Sequence, residues 1–141
     1  MPTAPKIKIE NNVRFIWCIV RKKWIQLTPE ENVRQYILHQ FVDKFQFPLK
    51  YISVEKMFEV IGLKKRYDIV VFNQALQAKI LVECKAENIE INDKTLRQIS
   101  IYNLQLKVPY LLVSNGKKSF YFEIKNDKIN SISTFPTFEN L

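Results

Sequence analysis

Two acidic residues sit where acidic residues are costly. Asp68 leads directly into Ile69-Val70-Val71-Phe72, and Glu83 follows Ile80-Leu81-Val82. A carboxylate inside an apolar strand is unfavourable unless it is paired, hydrogen-bonded or bound to a metal. On adjacent strands the two groups would come together and repel, and a divalent cation would neutralise both. Mg²⁺ suits that role, because it takes oxygen ligands and keeps several waters. In Glu83-Cys84-Lys85, strand alternation sets Glu83 and Lys85 on one face and Cys84 on the other. A metal-holding carboxylate would then lie beside an ammonium able to orient or activate water, the parts required for metal-assisted phosphodiester hydrolysis. The competing reading is structural: Asp68 pairs with Arg66 or Lys65 and Glu83 with Lys85, as ordinary strand-end salt bridges.

Positioning these residues takes a sheet and its helices. Residues 1–12 are polar and contain proline, which predicts a flexible arm. Arg14–Val20 and Trp24–Leu27, separated by Arg21-Lys22-Lys23, predict a hairpin. Thr28-Pro29-Glu30-Glu31 predicts a helix start, with Thr28 as N-cap, Pro29 at the first position and Glu31 closing a capping box. Val33, Ile37, Leu38, Phe41 and Phe45 continue it as one apolar stripe ending before Pro48. Strands are expected over Tyr51–Val60, Arg66–Phe72 and Lys79–Lys85, the last two apolar enough to be buried on both faces. Asn92 predicts the cap of a second helix running through Leu106, and strands follow at Tyr110–Ser114 and Phe120–Ile124 around the Asn115-Gly116 turn. A polar tail, residues 126–141, closes a single domain over 13–125. The order is helix, three strands, helix, two strands: an α/β (α+β) mixed sheet with an added N-terminal hairpin.

Composition narrows the chemistry. The chain has 141 residues, 47% of them hydrophobic, enough for one domain with a real core. Two cysteines and one histidine leave neither a disulfide scaffold nor a His- or Cys-based metal cluster to expect. A net charge of +8 favours polyanionic partners through phosphate contacts. Lys64-Lys65-Arg66, just before Asp68, is a candidate grip on a nucleic-acid backbone, with a solvated charge run as the alternative. No segment has the length or composition of a membrane span or signal peptide, so a cytoplasmic protein is expected.

Six segments, in order, resemble the N-terminal nuclease domain of type I restriction enzyme R subunits, including its small stand-alone relatives. They are Thr28-Pro29-Glu30-Glu31, Val33-Arg34-Gln35, Lys65-Arg66-Tyr67-Asp68-Ile69-Val70-Val71, Leu81-Val82-Glu83-Cys84-Lys85-Ala86, Gln98-x-x-x-Tyr102-Asn103 and Tyr110-Leu111-Leu112-Val113-Ser114-Asn115-Gly116. The resemblance implies the restriction-endonuclease-like αβββαβ core and a PD-(D/E)XK centre, with Tyr67 standing where the name has proline. It implies that Asp68 and Glu83 bind Mg²⁺, or Mn²⁺ in its place, and that Lys85 assists the attacking water. Gln98 and Tyr102 resemble a Q-x-x-x-Y pair, with Gln98 in the catalytic set and Tyr102 towards nucleic acid. A carboxylate from the first helix is also implied, and helical spacing selects Glu30, in line with Val33, Ile37 and Phe41, over Glu31. The implied function is a metal-dependent endonuclease acting on DNA, with RNA left open and a homodimer or a targeting protein as partner. The alternative is a catalytically silent nucleic-acid-binding module of the same fold. The helicase-like motor of full R subunits has no G-x-x-x-x-G-K-[ST] loop in this sequence.

Overall fold

The computed structural model describes residues 4–60 and 62–141, with all side chains in that range except those of Val60, Leu63, Ile101, Tyr102 and Gln105. A three-stranded antiparallel sheet comes first: β1 (Ile7–Glu10), β2 (Val13–Cys18) and β3 (Lys23–Gln26). Helix α1 (Pro29–Asp43) follows, then β4 (Ile52–Val60), β5 (Leu63–Phe72), β6 (Ala78–Cys84), helix α2 (Asp93–Leu106), β7 (Tyr110–Ser114), β8 (Ser119–Lys125) and β9 (Lys128–Ile132). The last six strands form one mixed sheet in sequential order, antiparallel except for β6 beside β7. That parallel pair needs a crossover, which α2 supplies. From α1 to β7 the elements run αβββαβ, as the resemblance implies.

Each helix covers one face of the sheet. On the α1 side, Val33, Ile37, Leu38 and Phe41 pack with Ile69, Val71, Ile80, Val82, Cys84 and Leu112. On the other, Ile99, with Leu96 and Leu106, packs with Val70, Leu81, Leu111 and Val113. Both helices carry their expected caps: Thr28 Oγ1 accepts the amide of Glu31, and Asn92 Oδ1 that of Thr95, each at 3.0 Å. Among the described residues no helix is long and apolar enough to cross a membrane.

The ends of the chain depart from their sequence reading. Residues 1–3 lie outside the described residues, but Ile7–Glu10 of the expected arm form β1 by pairing with β2. The expected polar tail supplies β9 and buries Phe135 and Phe138 in the α1-side core. Phe135 meets the rings of Phe41, Phe45, Tyr110 and Tyr121. Two aromatics isolated in sequence anchor this segment, Phe135 against those rings and Phe138 against Tyr51. Phe135→Ala is expected to destabilise the chain by about 3 kcal/mol in urea unfolding; a change within about 0.5 kcal/mol, the range of surface substitutions, would contradict this packing.

Candidate metal centre

Asp68 stands at a break in two strand ladders. Between β4 and β5 the register runs Ile52–Val71, Ser53–Val70, Val54–Ile69 and resumes at Lys56–Tyr67, leaving Glu55 and Asp68 opposite each other but unpaired. Between β5 and β6 the ladder ends at Ile69–Val82, one step short of Asp68 and Glu83. Glu55 has φ of +60°, a left-handed conformation that costs a non-glycine residue roughly 1 kcal/mol. The side chains register the same slip. Val54 and Ile69 pack on the α1 side, yet Phe58 and Tyr67, which strict alternation would place with them, pack on the α2 side. Asp68 is the residue at which β5 changes phase.

Freed from the ladder, the Asp68 carboxylate is held from two directions. The backbone amide of Cys84 donates to Oδ2 at 2.7 Å, in place of the missing ladder bond. Arg34 Nη2, from α1, donates to Oδ1 at 2.9 Å. The other edge of the same guanidinium donates from Nη1 to Glu31 Oε1 at 2.8 Å. Glu31 Oε2 accepts from Arg21 Nη2 at 2.6 Å and from Gln35 Nε2 at 3.0 Å. Glu31 is 4% exposed and Gln35 fully buried, so this is a desolvated charge network. Burial lowers the Arg34 pKa, but the hydrogen bond to Asp68 and the charges of Glu31 and Asp68 raise it more, and the net direction is up.

Glu83 lies on the α2 side of β6, the face of Leu81, while Cys84 points into the α1-side core as alternation requires. It is 6% exposed. Lys65 Nζ, on the neighbouring strand, lies 2.5 Å from Glu83 Oε1 and forms a largely buried ion pair with it. Burial pushes the Glu83 pKa up; Lys65 opposes the shift, Asp68 adds to it, and the charge of Lys85 lowers it slightly. Lys85 itself lies one residue past β6, half-buried, its amide bonded to the carbonyl of Ser114 at 2.8 Å.

Several sequence assignments change. The salt-bridge reading chose the wrong partners: Asp68 takes Arg34 because the phase slip turns it towards α1, and Glu83 takes Lys65 because that lysine lies on the adjoining strand. Glu31, not Glu30, is the first-helix carboxylate in the network. Glu30 is exposed, although its charge reaches the Cys84 thiol, whose pKa burial and then Asp68 raise. Glu31 completes only half of the capping box, since its carboxylate is committed to the two arginines and Gln35. Lys64 and Arg66 are exposed, whereas Lys65 is drawn inward. Gln98 is exposed on α2, and the Tyr102 side chain lies outside the described residues. Tyr67, at the proline position, donates its hydroxyl to Asn103 Oδ1 and so ties β5 to α2.

Arg21, Arg34, Gln35 and Glu55 were given no role at the site from the sequence. For Arg34 and Gln35 a signal existed: at three and four residues beyond Glu31 they share its helical face, and such polar triplets beside an apolar stripe point inward together. Arg21 looked like one charge of a basic turn, and nothing in the sequence marks a left-handed Glu55.

The raised Glu83 pKa fixes a pH dependence. The folded chain holds this proton more tightly than the unfolded chain, so the associated stability is present in acid and is lost as pH rises through the folded-state value. Glu83→Gln carries no such charge. With chelator present, the melting temperature of the variant relative to wild type is expected to rise between a pH below 4.5, the ordinary value of the group, and neutrality. A difference that stays flat or falls over that window would contradict the burial of a charged Glu83.

A comparison with curated proteins returned no match. The family model of the type I restriction enzyme R protein N terminus matches residues 29–136. That stretch runs from the first residue of α1 to beyond β9 and includes Glu31, Arg34, Asp68, Glu83 and Lys85. With most of its length matched, the chain belongs to the type I restriction enzyme R protein N-terminal family.

Proposed function

We propose that this chain is a Mg²⁺-dependent endonuclease domain of the PD-(D/E)XK type that hydrolyses DNA phosphodiester bonds. The observation that supports the reading is the end of the β5–β6 ladder at Ile69–Val82, which leaves Asp68 and Glu83 unpaired on neighbouring strands and near enough for the Asp68 charge to act on Glu83. A divalent cation fits that donor set, since hard oxygens of two carboxylates are what Mg²⁺ or Mn²⁺ takes. Among the described residues no group of three or more His, Cys, Asp or Glu side chains could hold a metal, so waters and backbone oxygen would complete the shell. When bound, the ion would supply Lewis-acid activation of water and charge neutralisation at the phosphate. Lys85, whose charge already acts on Glu83, orients the attacking water. Lys64 and Arg66, exposed on β5, hold the DNA backbone, and the net charge of +8 draws it in.

A second reading has its own observation. Arg34 and Lys65 already neutralise the two carboxylates, as they would in a module that binds nucleic acid without cutting it. Digestion of supercoiled plasmid with Mg²⁺ or Mn²⁺ separates the two. The nuclease reading expects metal-dependent nicking that Glu83→Ala and Lys85→Ala each reduce by about 100-fold or more. Binding of the plasmid with no cleavage, or cleavage that survives both substitutions, contradicts it and favours the silent module.

A further inference from the structure

We infer that Arg34 is an internal stand-in for the divalent cation: it pairs with Asp68 and would give way to the ion by shifting its contact to Glu55. This rests on the proposed metal centre and adds a residue that governs its loading.

The argument begins with charge. Arg21 and Arg34 face three carboxylates, Glu31, Asp68 and Glu55. Two guanidinium groups thus serve three carboxylates. Arg34 serves two of them at once with its planar fork, one nitrogen on Glu31 and one on Asp68. Its grip on Glu31 is anchored, because Glu31 is also held by Arg21 and Gln35.

Glu55 differs from the other two acids. It is 41% exposed at its side chain, and its oxygens lie 3.6 Å from Arg34 Nη1 and 3.7 Å from Arg21 Nη1, within ion-pair range but beyond a hydrogen bond. Its left-handed backbone sets it across the broken ladder from Asp68. A carboxylate in that place offers the guanidinium a second acceptor a short movement away. An ion approaching Asp68 Oδ1 repels Arg34, and at separations near 4 Å that repulsion is on the order of several kcal/mol in a partly desolvated site. With Glu55 available, the guanidinium moves without leaving a buried charge unpaired.

The test is Mn²⁺ affinity, measured by electron paramagnetic resonance of free Mn²⁺ on the whole chain, for wild type, Arg34→Gln, Glu55→Gln and the double variant. Removing the competing cation is expected to tighten Mn²⁺ binding on the order of tenfold. Glu55→Gln is expected to weaken binding several-fold in the wild-type background and to have no effect once Arg34 is gone. An arginine that merely props the site open would give the opposite sign, with Arg34→Gln loosening the metal. Should that variant lose its native circular dichroism spectrum, Arg34→Lys replaces it, since an ammonium lacks the two separate edges with which the guanidinium grips Glu31 and Asp68, and the expected direction is the same. Wild-type binding that Arg34 substitution leaves equal or weaker overturns the inference alone, as does a Glu55 effect of equal size in both backgrounds. Absence of Mn²⁺ binding in every variant overturns the metal centre and the inference with it.

Discussion

A strand residue ordinarily spends its backbone on its two neighbours, and the arrangement around Asp68 depends on that rule being suspended at one position. The β4–β5 ladder skips the Glu55–Asp68 pair and the β5–β6 ladder stops one step before it. Once the ladders fail, the amide of Cys84 needs an acceptor, because an unpaired buried N–H is costly. The Asp68 carboxylate is that acceptor. The same break turns Asp68 towards α1, and Glu55 absorbs it in a strained conformation. Strain of this kind persists where the surroundings over-determine it, here through apolar packing of β4 and β5 on both sheet faces.

Electrostatics then sorts the surrounding groups. Buried carboxylates require compensation, and the chain supplies it from three elements: Arg21 from the turn before β3, Arg34 from α1 and Lys65 from β5. The α1 side of the opening is closely hydrogen-bonded, with Glu31 at its centre. On the α2 side Glu83 is paired with Lys65, and burial still raises its pKa. Asp68 is therefore held by donors from two other elements, whereas Glu83 keeps a raised pKa beside Lys65 and Lys85. In the proposed centre the fold positions the first acid, and a divalent cation would offset the burial of the second.

The sequence made the sheet and both helices legible, because continuous apolar runs and capping residues are local signals that the tertiary structure reinforces. Thr28, Pro29 and Asn92 mark helix starts that the structure keeps. It hid what depends on partners distant in the chain. Ile7–Glu10 become a strand only by pairing with β2, and Phe135 is a core residue only because Phe41, Tyr110 and Tyr121 surround its position. The burial of Glu31 was hidden for a related reason. Apolar spacing described the stripe that meets the sheet, but the face of α1 that reaches the opening is defined by Glu31, Arg34 and Gln35, three polar residues that bury together.

The central claim is that the opening between β5 and β6 holds a divalent cation on Asp68 and Glu83. Anomalous diffraction from crystals grown with Mn²⁺ tests it most directly. The account predicts an anomalous peak bonded to an oxygen of each carboxylate, with Arg34 moved off Asp68. A map with no peak there, and with Arg34 and Lys65 still seated on the two acids at saturating Mn²⁺, would contradict it.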